Sequence, residues 1–194
     1  QTHFVKHLGL LDEGNQSVKM GDEVKVLHMR PPLEFGQEGL LKVHVAGHVP
    51  IMKNEIDEIK AWAWEIKDEY EKNNVNTLRQ YIIHPPWEDE VDSNTGIRRY
   101  RRYSCVGFVL DSHRQVDIEL LDIDEEVLPV VDKHTIISAY PEAESHPGLL
   151  LHWGLEGDGP WKVVLAGYIL HALNRPTDQI RKEPYQAKEG DEKF

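Results

Sequence analysis

The sequence predicts an α+β domain in which an early antiparallel sheet packs on a helix that begins at the chain's single cysteine. Three observations predict it. The first stretch of chain breaks into short β-branched or alternating runs separated by turn residues. Residues 54–73 then switch to an apolar period near 3.6. Finally, Cys105 heads a second helical stretch with Val106, Val109 and Leu110 available for burial.

The elements follow in order. Residues 4–11, 23–29 and 40–51 read as strands, parted first by Asp12, Glu13, Gly14 and Asn15, then by Pro31, Pro32, Gly36 and Gly39. Three successive strands with short links make an antiparallel meander. Asn54 is placed to cap the next helix, Asp57 and Glu58 suit its first turns, and Ile56, Ile59, Ala63, Ile66 and Tyr70 share one face. Asn73 and Asn74 mark its end. A shorter helical stretch over residues 76–83 stops at Pro85 and Pro86. The acidic residues 87–96 read as a loop. Arg98, Arg99, Tyr100, Arg101 and Arg102 come next, and then the helix over residues 105–115. Beyond Leu120 the chain turns acidic. Residues 148–173 are expected to hold a strand pair about the turn Glu156, Gly157, Asp158, Gly159 and Pro160, with 163–170 as its second strand. The tail from Arg175 is polar and reads as extended.

Composition narrows the function classes. Hydrophobic residues make up 40% of the 194, enough for a chain of this length to bury a core. No apolar run approaches the roughly 20 residues that a membrane helix needs. The formal charge of −12 disfavours a nucleic-acid partner, because phosphate contacts require a basic face. A single cysteine excludes an internal disulfide and a cysteine-cluster zinc site.

Cys105 is the residue with chemistry to offer. At a helix N-terminus, unpaired N–H groups and the helix dipole favour thiolate over thiol, and the same groups can bind the oxyanion of a tetrahedral intermediate. Gly107 removes a side chain that would crowd the approach. The plainer reading is a small buried hydrophobe, as lone cysteines often are.

The pattern Cys105, Gly107, Phe108, Val109, with Arg114, Ile118 and Leu120 following, resembles the cysteine helix of NlpC/P60-type papain-like peptidases. Upstream, His7, Leu8, Gly9, Leu10 and Leu11, a turn at Gly14, and then Val26, Leu27, His28, Met29, Arg30, Pro31 and Pro32 resemble the circularly permuted branch of that superfamily. That branch includes lecithin retinol acyltransferase-like enzymes and related bacterial amidases. The resemblance covers roughly residues 4–120. It implies a papain-like catalytic core over residues 1–120 and says nothing of residues 121–194, which are expected to form an extension packed on the same domain. It also implies attack by Cys105 on an amide or ester bond, with His7 as base and His28 orienting the His7 ring, and without a cofactor. The substrate is then a peptide-like amide or an acyl lipid, met by a hydrolase or by an acyltransferase of the same fold. A non-catalytic module that retains the fold is the alternative.

Other residues compete for these roles. His152, followed by Trp153 and Gly154, is the downstream candidate for the base. His44 and His48 share one strand face and rival His7. With Glu34 or Glu38 they make a candidate His/carboxylate metal site, although no zinc-protease motif is present and no metal is expected. Arg98, Arg99, Arg101 and Arg102 are candidates for holding an anionic substrate group. In so acidic a chain such a run more often forms ion pairs with Asp and Glu on a solvated face. The five tryptophans read as packing residues.

Overall fold

The computed structural model describes residues 8–11, 23–29, 33–39 and 48–191. It mixes helices with small sheets, and its first sheet is antiparallel. Strands β1 (Leu10–Leu11), β2 (Glu23–Met29) and β3 (Leu33–Gly39) lie in that order, with Leu10 opposite Leu27 and Met29 opposite Leu33. The third strand therefore begins directly after the two prolines, and not in the run at 40–51. Residues 40–47 lie outside the described residues, and 48–51 form no strand. Gly36 and Gly39 weaken a strand without forbidding it.

Helix α1 (Lys53–Lys72) buries Ile59, Ala63, Ile66 and Tyr70 along one stripe, as the period predicts. Its N-cap is Met52 rather than Asn54, because the Glu55 carboxylate reaches back to accept from the Met52 N–H at 2.6 Å. At the other end Asn74 takes a positive φ of 50° and Val75 N–H closes on the Tyr70 carbonyl at 3.0 Å. This is the left-handed stop that asparagine tolerates. Residues 76–83 form only a 3₁₀ turn, Thr77–Gln80.

The acidic stretch after Pro86 is a strand, β4 (Trp87–Val91), paired antiparallel with β5 (Arg98–Tyr103). Glu88 faces Arg102 and Asp89 faces Arg101 across the pair. Opposite charges at cross-strand positions stabilise what either segment alone would not form. Helix α2 (Cys105–Arg114) follows at once. It is buried from Cys105 through His113 because β2, β5, α1 and a later helix surround it.

The remaining chain is more helical than its sequence suggests. After β6 (Leu121–Asp122) come α3 (Lys133–Ala139), α4 (Glu142–Ser145), α5 (Pro147–His152), α6 (Ala166–Leu173) and α7 (Thr177–Ile180). A short strand, β7 (Tyr185–Gln186), then pairs in parallel with β6. The expected strand pair at 148–173 is replaced by α5 and α6. Pro147 opens α5, where its missing N–H is harmless, and α6 is buried on nearly every side, so periodicity does not betray it. Two apolar clusters result. One joins α1, β5 and residues 131–165; the other gathers α2, α6, Leu128 and Ile180. Arg181 ties the end of α7 to the start of α1 through Glu55, at 2.7 and 2.9 Å, and the Pro50 carbonyl at 2.7 Å. Among the described residues no helix is long and apolar enough to cross a membrane.

Candidate active site

Cys105 is the first residue of α2, and local sequence puts it there. Ser104 has extended backbone (ψ 166°), which stops the β5 strand from running into the helix, and its hydroxyl accepts from Gly107 N–H at 2.8 Å. That is an N-cap satisfying one of the orphan donors of the first turn. Ser104 N–H in turn donates to the Pro86 carbonyl at 2.9 Å. Gly107 has a packing role rather than the one its position suggests. A Cβ there would lie 1.8 Å from the Pro86 oxygen, so only glycine lets the first turn of α2 seat against the 85–86 segment.

The Cys105 side chain is 0% exposed. Burial pushes its thiol pKa up, and the neighbouring polar groups, the Tyr81 hydroxyl among them, pull it down by less. Burial wins among these groups. Tyr81 Oη lies 4.0 Å from the sulfur and 3.3 Å from Tyr140 Oη. Sulfur thus sits in an apolar core with the Tyr81 hydroxyl at its edge. Sequence reading singled out neither tyrosine. Tyr81 opens an apolar run ahead of two prolines, a weak sign of a buried ring with a polar tip. Tyr140 stands before Pro141 in an acidic stretch and carries no such sign.

The histidines divide. His7 and His44 lie outside the described residues. The backbone of Leu8, which follows His7, is among the groups that pull the Cys105 thiol pKa down. His28 is buried on β2, which packs against α2. A Cβ on Gly9 would come within 2.9 Å of the His28 Cβ. Only a glycine at this point, just before β1, lets the backbone lie so close to His28. His48 is exposed. His152 Nε2 is 2.7 Å from the Leu78 carbonyl, so its ring joins α5 to the 3₁₀ turn. His113, buried on α2, holds the Val109 carbonyl at 2.7 Å through Nδ1, and burial pushes its pKa down. Among the described residues no group of three or more His, Cys, Asp or Glu is placed to hold a metal ion.

The four arginines have internal partners. Arg98 pairs with Glu69, and Arg99 Nε bonds Asn73 at 3.3 Å. Arg101 grips Asp89 with two bonds, at 2.6 and 2.9 Å, and reaches Asp111 at 3.1 Å. Asp111 also accepts from the Tyr103 hydroxyl at 2.7 Å, which satisfies a carboxylate held inside α2. Arg102 donates to the carbonyls of Tyr81, at 3.0 Å, and His152, at 2.7 Å. It therefore braces the backbone that carries the Tyr81 ring. Beside this wall lies a groove of about 200 Å³ bounded by His84, Pro86, Trp87, Leu128 and Val164. Comparison with protein-family models, with curated proteins and with solved structures gives no match to this chain.

Proposed function

We propose that the chain is a cysteine-dependent hydrolase of papain-like fold that cleaves an amide or ester bond through an acyl-enzyme on Cys105. One observation carries this reading: the sulfur stands at the head of a capped, buried helix with the Tyr81 hydroxyl 4.0 Å from it. A cysteine that only packs needs no such donor. A nucleophile needs donors that stabilise the thiolate before attack and the oxyanion after it.

The described donors alone leave the thiol raised, so activation has to come from a base. His7 is our assignment, being the residue before Leu8, with His28 orienting its ring. His7 takes the thiol proton, and the thiolate attacks the carbonyl carbon. Collapse of the tetrahedral adduct breaks the C–N or C–O bond, and the leaving amine or alcohol takes the proton from His7. Water then attacks the thioester, gives its proton to His7, and displaces the thiol as the carboxylic acid departs. An acyltransferase follows the same path with another acceptor in place of water. The substrate is a peptide-like amide or an acyl lipid.

Full burial of Cys105 favours a second reading, a non-catalytic module that keeps the fold. Turnover separates the two. Wild-type protein is expected to release nitrophenolate from p-nitrophenyl acetate, and Cys105→Ala and His7→Ala are expected to lose that release with unchanged circular dichroism. Equal release by wild type and Cys105→Ala would remove the hydrolase reading.

A further inference from the structure

The groove beside residues 84–87 is apolar except at two places. Pro85, Pro86, Trp87, Ile123, Leu128 and Val164 line most of it. The exceptions are the imidazole of His84 and the carboxylate of Glu125. Among the described residues neither side chain has a hydrogen-bond or ion-pair partner, and the His84 Nδ1 is buried without one. We infer that this groove is a binding site for a small primary amine, whose ammonium group pairs with Glu125 and whose hydrocarbon body packs on Trp87, Leu128 and Val164. The inference is independent of the chemistry at Cys105.

Size, charge and rigidity point the same way. Drug-sized ligands occupy pockets of roughly 300–1,000 Å³, so a groove of about 200 Å³ takes a body of a few carbons and not a nucleotide. An anion is disfavoured. Glu125 stands at the groove, and the whole chain carries a formal charge of −12, which draws cations toward it. The neighbouring cations are already engaged. Arg114 lies over the Trp87 ring at 4.6 Å and bonds Glu119 at 2.8 Å, and Lys162 donates to the Glu126 carbonyl at 3.1 Å. A neutral apolar molecule would leave the Glu125 carboxylate with water alone, whereas an ammonium group offers it three donors. An imidazole nitrogen that carries no proton is a further acceptor. The site is built before a ligand arrives. Ile83 and His84 N–H both donate to the Trp153 carbonyl, at 2.9 and 3.2 Å, and the Pro86 carbonyl holds Ser104 N–H. In the other lining segment, Val127 and Leu128 N–H close on the Asp124 carbonyl at 3.0 and 3.1 Å. A preformed groove has little left to order on binding, and ordering is a main cost to a small ligand's affinity.

The chain has five tryptophans, so protein carrying ¹⁵N-labelled indoles gives five side-chain signals, and Trp87→Phe identifies the one from Trp87. In the full chain at neutral pH and low salt, n-butylamine is expected to shift that signal to saturation and to leave the other four nearly in place. n-Butanol has the same shape without the charge, and is expected to bind roughly three- to tenfold more weakly, the range for an ion pair open to water. Butyrate is expected not to bind. Glu125→Gln should bring butylamine down to the level of butanol, and high salt should do the same to wild type. Glu125 is exposed, so this variant keeps the fold, which the unliganded indole spectrum checks. A Trp87 signal that does not saturate with butylamine would overturn the inference. So would equal affinity for butylamine and butanol, or an unchanged affinity for butylamine in Glu125→Gln. Binding of Nα-acetyl-lysine N-methylamide without binding of butylamine would also overturn it, and would assign the groove to a lysine of a partner peptide.

Discussion

Replacing Gly107 by alanine tests how tightly α2, the helix that begins at Cys105, is seated. The new methyl would lie 1.8 Å from the Pro86 oxygen and 2.5 Å from its carbonyl carbon. Favourable contact needs about 3.5 Å, so the first turn of α2 would have to retreat by about 1.5 Å. That retreat stretches the 2.9 Å bond from Ser104 N–H to Pro86 out of range. Overpacking costs about 1–3 kcal/mol, and leaving a buried backbone group unbonded costs about 1–3 kcal/mol more. Alanine returns about 1 kcal/mol of helix propensity. The net expectation is a loss of about 1–5 kcal/mol, read as a lower urea midpoint in tryptophan fluorescence with an unchanged slope. Gly148→Ala is the control. Nothing lies within 4 Å of its added Cβ, so stability should stay within about 0.5 kcal/mol of wild type or rise slightly. Wild-type stability in Gly107→Ala would refute the close seating of α2 on Pro86, and with it the argument for where Cys105 sits.

Two further predictions concern the polar groups inside α2. Asp111→Ala strands the fully buried Tyr103 hydroxyl and one side of Arg101, and should destabilise by about 3 kcal/mol in the same urea assay, whereas Tyr103→Phe should cost about 1 kcal/mol. Equal costs would mean that the carboxylate matters only as the tyrosine's partner. His113 gives a pH dependence. Its folded pKa is lowered by burial, so below about pH 6.5 the unfolded chain binds a proton that the folded chain refuses. Stability should therefore fall as pH drops from about 6.5 toward the folded pKa, by at most about 1.4 kcal/mol per pH unit. His113→Gln should flatten that slope; identical slopes between pH 7 and 5.5 would contradict it.

What the sequence made legible was local. Strand β2, the stripe of α1 and the start of α2 at Cys105 follow from alternation and period, each set by residues a few positions apart. Strand β4 was hidden because Glu88, Asp89 and Glu90 read as a solvated loop until Arg101 and Arg102 are known to lie opposite. Helix α6 was hidden because Val163, Val164 and Ile169 suit a strand, and burial on all sides erased the helical period. The tyrosine pair beside the sulfur was beyond reach for another reason. Tyr81 and Tyr140 are 59 residues apart, and only the packing of both rings on Trp153 brings them together. The arginine run was visible, but its partners Asp89, Asp111 and Glu69 come from three different elements.

The central claim is that Cys105 forms an acyl-enzyme in the folded protein. Intact-mass analysis after brief exposure to p-nitrophenyl acetate at neutral pH tests it most directly. The account predicts a single acetyl group, located on Cys105 by peptide mapping, that is absent from His7→Ala and disappears from wild type on standing as water completes the cycle. A cysteine that takes up the acetyl group only after denaturation would contradict it.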